Sequence, residues 1–142
     1  YMKSKKPVGI MFIDADHLKY INDTFGHDMG NLAISSIASV IRQHCPDNSV
    51  SMRYGGDELV CVIPDYDQTQ LQNLKQNLLD SLATLSRNSR MAFPIEASIG
   101  FVVADDSVFS LNDYINLADE KMYTEKKNRK AGRENSHPAS GL

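Results

Sequence analysis

Tryptophan is absent from this sequence of 142 residues, and cysteine and proline are scarce, with two and five residues respectively. The two cysteines, Cys45 and Cys61, can form one disulfide at most, which excludes a small secreted scaffold held by several bridges. Cys61 lies in an apolar run, where a reduced and buried thiol is the common state. The chain also lacks an apolar run of the roughly 18 residues that span a membrane, and no signal-peptide core follows its first lysines. These absences predict a cytoplasmic domain with no membrane contact of its own, either separate or within a longer, even membrane-bound, protein.

The composition is that of one globular domain, with 42% hydrophobic and 23% charged residues. A net charge of -3 hides an uneven distribution, because residues 126–133 carry five basic and no acidic side chains, so that this basic segment is +5 and the remaining chain is -8. Such a segment is either a solvated helix end, whose cations suit the negative end of the helix dipole, or an anion-binding site. No aromatic side chains alternate with its cations, which argues against nucleic acid as a partner.

Apolar patterns along the chain predict the order strand, helix, hairpin, helix, strand, helix. Two strand-like runs flank Gly55-Gly56-Asp57-Glu58, the spacing of a hairpin with glycines at its turn. Gly100, inside a later strand, predicts a bulge or a close approach of another backbone. A hairpin cannot belong to an all-parallel sheet, so the fold class expected is α/β (α+β), with a mostly antiparallel sheet flanked by helices. The predicted strands are Val8 to Ile13, Ser51 to Tyr54, Leu59 to Ile63 and Ile95 to Val103; the predicted helices are Asn31 to Gln43, Leu71 to Ser86 and Leu111 to Asn128, with a short helix and a turn within residues 14–31.

Four acidic residues are predicted at two turns. Asp14 and Asp16 end the first strand, and Asp57 and Glu58 lie at the hairpin tip. Mg²⁺ prefers oxygen ligands and usually takes one or two carboxylates plus substrate phosphates, so Asp14 and Asp57 can share an ion if the two strands are neighbours. Acids at turns also serve simply to solvate or cap the chain. Two adjacent glycines favour the ligand site, because they leave the loop backbone open to a bulky molecule.

Four ordered segments resemble the GGDEF family, the diguanylate cyclases. Arg53 to Leu59 (RYGGDEL) is similar to the signature that names the family. Upstream, Phe12 to His27 (FIDADHLKYINDTFGH) resembles the family's first-strand block almost residue for residue. Downstream, Ser98 to Gly100 and Ala118 to Lys126 resemble its closing strand and helix. The likeness is specific because it extends well beyond the loop.

The resemblance implies a palm-like fold, as in polymerases and class III nucleotide cyclases, with the signature loop on a β-hairpin. It also implies a reaction in which two GTP condense to cyclic di-GMP and release two pyrophosphates. By similarity, Asp14, Asp57 and the backbone carbonyl of Ala15 hold Mg²⁺ or Mn²⁺. Asp57 or Glu58 then helps to deprotonate the attacking 3′-hydroxyl, in a two-metal type of reaction.

The same resemblance assigns residues and partners to the substrate. Each domain of the family holds one GTP, so catalysis implies a homodimer in which two GGDEF domains meet, brought together by an upstream sensory or dimerising segment. The implied substrate-binding residues are Lys126 and Lys130 at the phosphates, Lys19 beside the loop that cradles them, Asn22, His27 and Asn31 at the nucleoside, and Gly55 and Gly56 in the signature loop.

One departure from the family concerns the base. Asn31 stands where the family's guanine pocket has an aspartate. A carboxylate only accepts hydrogen bonds and suits the two donors on the guanine edge, whereas an amide offers one acceptor and a pair of donors. This exchange predicts a weaker guanine preference. It leaves two alternatives to a standard cyclase: a cyclase with altered base choice, and a weak or inactive module that binds nucleotide or mediates regulation.

Other departures affect packing, feedback and extent. Leu59 replaces the signature phenylalanine, a packing change that should be tolerated. Pro46 and Ser49 replace the Arg and Asp of the family's inhibitory site, which predicts no feedback binding of product there. The family's N-terminal helix is missing from the sequence, so the expected organisation is a GGDEF domain over residues 1–131 and a disordered tail over residues 132–142.

Overall fold

Four strands form one sheet in the computed structural model, which describes residues 6–88, 93–104 and 110–136, with side chains as far as residue 128. They are β1 (Val8–Ala15), β2 (Val50–Arg53), β3 (Glu58–Pro64) and β4 (Ala97–Ala104), in the spatial order β2-β3-β1-β4 with every neighbouring pair antiparallel. The helices are α1 (Leu18–Phe25), α2 (His27–His44), α3 (Gln68–Asn88) and α4 (Leu111–Ser136). The predicted order of elements and the antiparallel sheet are confirmed. Within the described ranges, no helix combines the length and the apolar character of a membrane span.

β1 lies at the centre of the sheet, and all eight of its residues are buried. Its side chains alternate between two hydrophobic cores. Met11 and Ile13 pack with residues of α2 and α3 on one face, and Ile10 and Phe12 pack with residues of α4 on the other. A strand buried on both faces needs no polar alternation, which explains the continuous apolar run in the sequence.

Reciprocal capping bonds fix the starts of two helices. At α3, the Gln70 N–H donates to Asp67 Oδ1 and the Asp67 N–H donates to Gln70 Oε1, both at 2.9 Å. Ser110 and Asp113 form the same reciprocal pair at the start of α4. Each pair satisfies N–H groups that a first helical turn leaves without partners. Because of its cap, α3 begins at Gln68, ahead of the predicted start at Leu71.

Two other helix boundaries differ from the prediction. α2 begins at His27 and not at Asn31, because Gly26, with a φ of 96° that favours glycine, separates α1 from α2 in a single residue. α4 extends to Ser136, past its predicted end at Asn128 and into the first five residues of the predicted tail, and the domain boundary predicted at residue 131 stays a prediction. The rest of that tail, residues 137–142, lies outside the described residues.

Gly100 on β4 allows α4 to lie directly against the sheet. A Cβ atom at this position would lie 2.2 Å from the backbone nitrogen of Met122 and 2.3 Å from the carbonyl oxygen of Ala118. The close backbone approach predicted from the sequence is therefore confirmed. Lys126 lies about one helical turn beyond Met122. The contact between Gly100 and α4 therefore determines where Lys126 lies relative to the end of β1.

Candidate active site

Pairing between β1 and β3 brings the acids of the two turns to one end of the sheet. Asp14 lies opposite Glu58 in the β1–β3 register, and the Ala15 N–H donates to the carbonyl of Asp57 at 3.0 Å. On its other side, Asp14 pairs with Ser98 of β4. The hairpin loop therefore lies directly beside the end of β1, which is the arrangement that a shared ion requires.

Arg53 and Glu58 hold the hairpin loop from both ends. The Arg53 guanidinium donates two hydrogen bonds to the Gly56 carbonyl, the one from Nε at 3.2 Å. The Tyr54 N–H donates to the Glu58 carbonyl at 2.8 Å. Gly55 leaves room for Glu58, since a Cβ there would lie 2.4 Å from Glu58 Oε1, whereas a Cβ at Gly56 would meet open space. Gly56 is thus the point at which another molecule can approach the loop backbone.

Asp14 is a buried acid with one oxygen paired and the other unpaired. Its Oδ2 accepts a hydrogen bond from Lys126 Nζ at 3.0 Å, while its Oδ1 is buried without a hydrogen-bond partner among the described residues. Burial raises the pKa of Asp14 to about 6, against the opposing effect of Lys126 and with a smaller contribution from the charge of Asp57. A buried carboxylate oxygen is costly to the fold unless a cation or a donor reaches it.

Asp16 is a second buried acid, and Lys126 lies between it and Asp14. Ser98 Oγ donates to Asp16 Oδ1 at 2.7 Å, and Lys126 Nζ is 3.9 Å from that same oxygen. Burial alone would lower the pKa of Lys126, but its hydrogen bond to Asp14 and the charges of both acids outweigh this and raise it. The first cation of the basic segment therefore lies at the acidic site and not on a solvated helix end.

Glu58 has the character of a proton acceptor. Burial raises its pKa above the usual range of glutamate, and the charges of Asp57 and of Asp119 on α4 raise it further. A carboxylate with a raised pKa binds a proton more readily than a free one at neutral pH. The hairpin tip thus combines a second acid for a cation, Asp57, with a candidate general base.

A pocket of ≈ 270 Å³ opens beside the hairpin loop. Asn22 of α1 and Asn31 of α2 line it, together with Gly56 and Asp57. Gly30 forms the floor under Asn22, since a Cβ at Gly30 would lie 1.8 Å from Asn22 Oδ1. Two side-chain amides offer donors and acceptors to the polar edge of a ligand. The other lining residues are Leu18, Ile34 and Arg53.

This combination of fold, loop and acids has a known counterpart. A family model described as a diguanylate cyclase GGDEF domain matches residues 2–132. The chain belongs to the GGDEF family. Among curated relatives, "Probable diguanylate cyclase DgcT" of Escherichia coli (strain K12) is 30% identical over 125 residues, which cover 86% of this chain and 28% of that protein. The chain therefore spans less than a third of this GGDEF relative.

Solved GGDEF structures share the fold. An EAL/GGDEF domain protein from M. capsulatus is 28% identical and has a TM-score of 0.78, covering 90% of this chain and 83% of that one. The GGDEF domain of DgcB from Caulobacter crescentus has a TM-score of 0.81 at 24% identity, covering 89% and 76%. The GGDEF fold expected from the sequence is confirmed. The family depends in general on a divalent metal, and its domains act on GTP and with partner proteins, beside upstream coiled-coil or sensory segments.

The acidic end of this GGDEF domain fits a divalent cation. Asp14 Oδ1 is a buried oxygen without a partner in the described part of the chain, and Asp57 is close enough for its charge to affect the pKa of Asp14. In the same ranges, no group of three or more acidic, histidine or cysteine side chains is arranged to hold a metal ion. Two carboxylates suit Mg²⁺, which usually completes its coordination with water and substrate phosphates. The Ala15 carbonyl as a further ligand stays a prediction.

Of three further predicted site residues, two lie away from the pocket and one has a side chain outside the described part of the structure. Lys19 on the first turn of α1 and His27 at the start of α2 are exposed, and neither lines the pocket beside the loop. Lys130 belongs to α4, beyond the last side chain that the structure describes. Their roles at the phosphates and the nucleoside therefore stay predictions.

Three residues of the site were not assigned from the sequence. Arg53 holds the Gly56 carbonyl, Ser98 holds Asp16, and Gly30 supports Asn22. Arg53 and Ser98 fall within the segments that resemble the family, and this position could have marked them as site residues. Gly30 was indicated less clearly, only by its place next to Asn31.

Proposed function

We propose that this GGDEF domain is a diguanylate cyclase, which condenses two GTP into cyclic di-GMP and releases two pyrophosphates. The observation that carries this proposal is the position of the acids. Asp57 lines the pocket of Asn22 and Asn31 and also neighbours Asp14, which Lys126 contacts. A nucleoside held by the two asparagines would therefore have its triphosphate near two carboxylates and a lysine, as phosphoryl transfer requires.

The reaction forms two phosphodiester bonds. In each, the 3′-oxygen of one GTP attacks the α-phosphate of the other, the bond to pyrophosphate breaks, and the hydroxyl proton passes to a base. Asp14 and Asp57, with the backbone carbonyl of Ala15, would hold Mg²⁺ or Mn²⁺. When bound, such an ion supplies positive charge that stabilises the attacking oxygen and the leaving pyrophosphate.

Side chains of the domain supply the remaining functions. Glu58 is suited to accept the hydroxyl proton, because burial raises its pKa above that of a free glutamate. Asp57 is the alternative base. Asn22 and Asn31 orient the base of the nucleotide. We assign Lys126, Lys130 and Lys19 to the phosphates, His27 to the nucleoside, and Gly55 and Gly56 to the backbone surface on which the nucleotide lies.

A second copy of the domain is the required partner. One pocket holds one nucleotide, whereas the product joins two, so two domains must meet with their pockets facing. An upstream sensory or dimerising segment of the full-length protein would control this meeting. A coiled coil accompanies the GGDEF domain in DgcB of Caulobacter crescentus. A GTP substrate implies a cytoplasmic location for the domain.

The direct test uses the domain dimerised through a fused coiled coil and incubated with Mg²⁺ and GTP, ATP or both. Cyclic di-GMP, identified by mass, is expected from GTP. Asp57→Ala should abolish turnover because it removes a metal ligand, whereas Asp47→Ala, the same change at an exposed position outside the site, should not. No product from any mixture, with GTP still bound, would instead support a non-catalytic nucleotide-binding module. An active Asp57→Ala enzyme would refute the metal-ligand assignment.

We also propose that Asn31 loosens the choice of base. Asn31 and Asn22 line the same pocket, which therefore presents two amides and no carboxylate to the edge of the base at these positions. An amide can pair with N1 and N6–H of adenine, whereas a carboxylate suits the two donors of guanine. A bidentate base contact is worth about 1–3 kcal/mol, or roughly 5- to 150-fold in discrimination.

The variant Asn31→Asp tests this second proposal. It should increase the preference for GTP over ATP, measured as the ratio of kcat/KM values and as the ratio of the two dissociation constants. Asn48→Asp, which makes the same charge change at an exposed turn, is the matched control. The proposal fails if the ratios of GTP to ATP in Asn31→Asp are no higher than those of the unmodified protein.

A further inference from the structure

Lys126 lies where an ammonium group and a divalent cation would compete. Its Nζ is 3.0 Å from Asp14 Oδ2 and 3.9 Å from Asp16 Oδ1, so one positive charge sits between two acids. The two acids are buried, with side-chain exposures of 13% and 3%, whereas Lys126 is 40% exposed. The lysine therefore reaches into the acidic site from the solvent side and has room to leave it.

The same carboxylate cannot fully serve both cations. A divalent ion bound by Asp14 would lie a few ångströms from Lys126 Nζ, and like charges at that distance repel strongly in a partly buried site. Lysine carries its charge on a flexible four-carbon stem, so it can move away, at the loss of its hydrogen bond to Asp14. A triphosphate in the neighbouring pocket would offer the displaced ammonium new oxygen partners.

We propose that Lys126 is an internal counter-ion for Asp14 and Asp16, which opposes the divalent cation until nucleotide phosphates draw the lysine away. The phosphate half of this statement rests on the proposed function, whereas the competition between lysine and metal does not. One consequence is that metal alone binds weakly and binds well together with a nucleotide. Another is that Asp14 keeps a neutralising charge when no nucleotide is present.

The experiment measures Mn²⁺ binding without nucleotide, by electron paramagnetic resonance of the free ion and by calorimetry. Lys126→Gln keeps a hydrogen-bond donor for Asp14 but removes the charge, and it should tighten Mn²⁺ binding by roughly ten-fold or more. Lys127→Gln is the matched control, because it removes the same charge from the exposed neighbouring residue and should change binding less than about two-fold. Adding Asp14→Asn to Lys126→Gln should abolish the gain.

Two outcomes overturn the proposal. One is Mn²⁺ binding by Lys126→Gln that is no tighter than that of the unmodified chain, including no measurable binding by either protein. The other is an equal gain in Lys127→Gln, which would indicate a general effect of net charge. Lys126→Met gives a second measurement of the same gain if Lys126→Gln does not fold, and circular dichroism monitors folding of each variant. Because no GTP is used, a protein that makes no cyclic di-GMP can still show the gain, so failure of the cyclase proposal is distinguishable.

Discussion

At the scale of single residues, Asp14 shows a conflict between stability and chemistry. The residue lies one position before the end of a fully buried strand, which desolvates its carboxyl group, and one of its oxygens has no partner among the described residues. Its pKa of about 6, against an ordinary value of 3.8, means that folding favours the neutral form of the carboxyl group relative to the unfolded chain. A metal ligand must instead be ionised. An aspartate at this position therefore favours metal binding and lowers the stability of the fold.

The conflict predicts an unusual dependence of stability on pH. Folded protein keeps the Asp14 proton up to a pH of about 6, whereas the unfolded chain releases it near the ordinary value of 3.8. The folded state thus binds more protons between these values, so this residue's contribution to the free energy of unfolding falls as the pH rises through them. Asp14→Asn removes this effect and should gain up to about 3 kcal/mol over the unmodified chain between about pH 4 and about pH 7.

Urea denaturation in the presence of a chelator checks this prediction at both pH values. Asp47→Asn, at an exposed turn, is the control and should follow the unmodified chain. A parallel pH dependence of Asp14→Asn and the unmodified protein would contradict the assignment of a raised pKa to Asp14.

The sequence was enough to predict which residues belong to the site, but not most of the contacts between them. Asp14 and Asp57 stand out in the sequence because each follows a recognisable strand or lies at a recognisable turn. The bond from Ser98 to Asp16 joins residues 82 positions apart, and only the register of β1 with β4 brings them together. Similarly, the role of Gly30 as the floor under Asn22 depends on how α1 packs against α2.

At the scale of elements, the interiors were predicted better than the ends. Hydrophobic periodicity located α3 and α4 because their buried residues repeat at helical spacing. It could not locate the start of α3, which a reciprocal pair of polar side chains, Asp67 and Gln70, determines. A search for this capping pattern ahead of Leu71 would have found the start.

Alanine in place of a glycine is expected to affect stability differently in two elements, at Gly100 on β4 and at Gly56 on the hairpin loop. An alanine at Gly100 would place its Cβ 2.2 Å from the backbone of Met122, and a backbone atom in a helix cannot move aside alone. Gly100→Ala should therefore displace α4 and destabilise the fold by roughly 1–3 kcal/mol or more. Because Lys126 moves with α4, nucleotide binding should weaken as well.

Gly56→Ala is the matched variant on the hairpin loop. Its Cβ would meet open space, and Gly56 does not have a positive φ, so the free energy of unfolding should change by less than about 0.5 kcal/mol. The added methyl would still obstruct a nucleotide that lies on the loop backbone. Chemical denaturation and GTP calorimetry on both variants separate the two effects. Equal loss of stability in the two variants would contradict the close packing of Gly100 on α4.

At the scale of the whole molecule, the small net charge of -3 is the sum of two local sites. Acids gather at the end of β1 and at the hairpin tip, and α4 delivers the first lysine of the basic segment to the same place. A site of mixed charge suits a ligand that is itself mixed, such as a cation bound to a triphosphate. It also explains why overall charge is a poor guide to an anionic substrate in this chain.

A mixed dimer gives the sharpest test of how two whole molecules share the reaction. Cyclic di-GMP contains two new bonds, and in the proposed mechanism each would be formed at the acidic site of the domain that holds the attacked α-phosphate. A dimer of one unmodified chain and one Asp57→Ala chain, paired through a heterodimeric coiled coil, has one competent site. It should form one bond and accumulate the linear dinucleotide triphosphate, releasing one pyrophosphate for every two GTP consumed.

Mass spectrometry and a pyrophosphate assay measure both expectations for the mixed dimer. The dimer of two unmodified chains is the control and should release one pyrophosphate for each GTP consumed. Cyclic product from the mixed dimer at the control rate would mean that Asp57 of one chain can serve both bonds. No product at all would mean that each bond needs the acids of both chains. The first result would make one acidic site sufficient for both bonds. The second would replace two independent sites with one composite site, in which the metal ligands of the two domains act on the same phosphate.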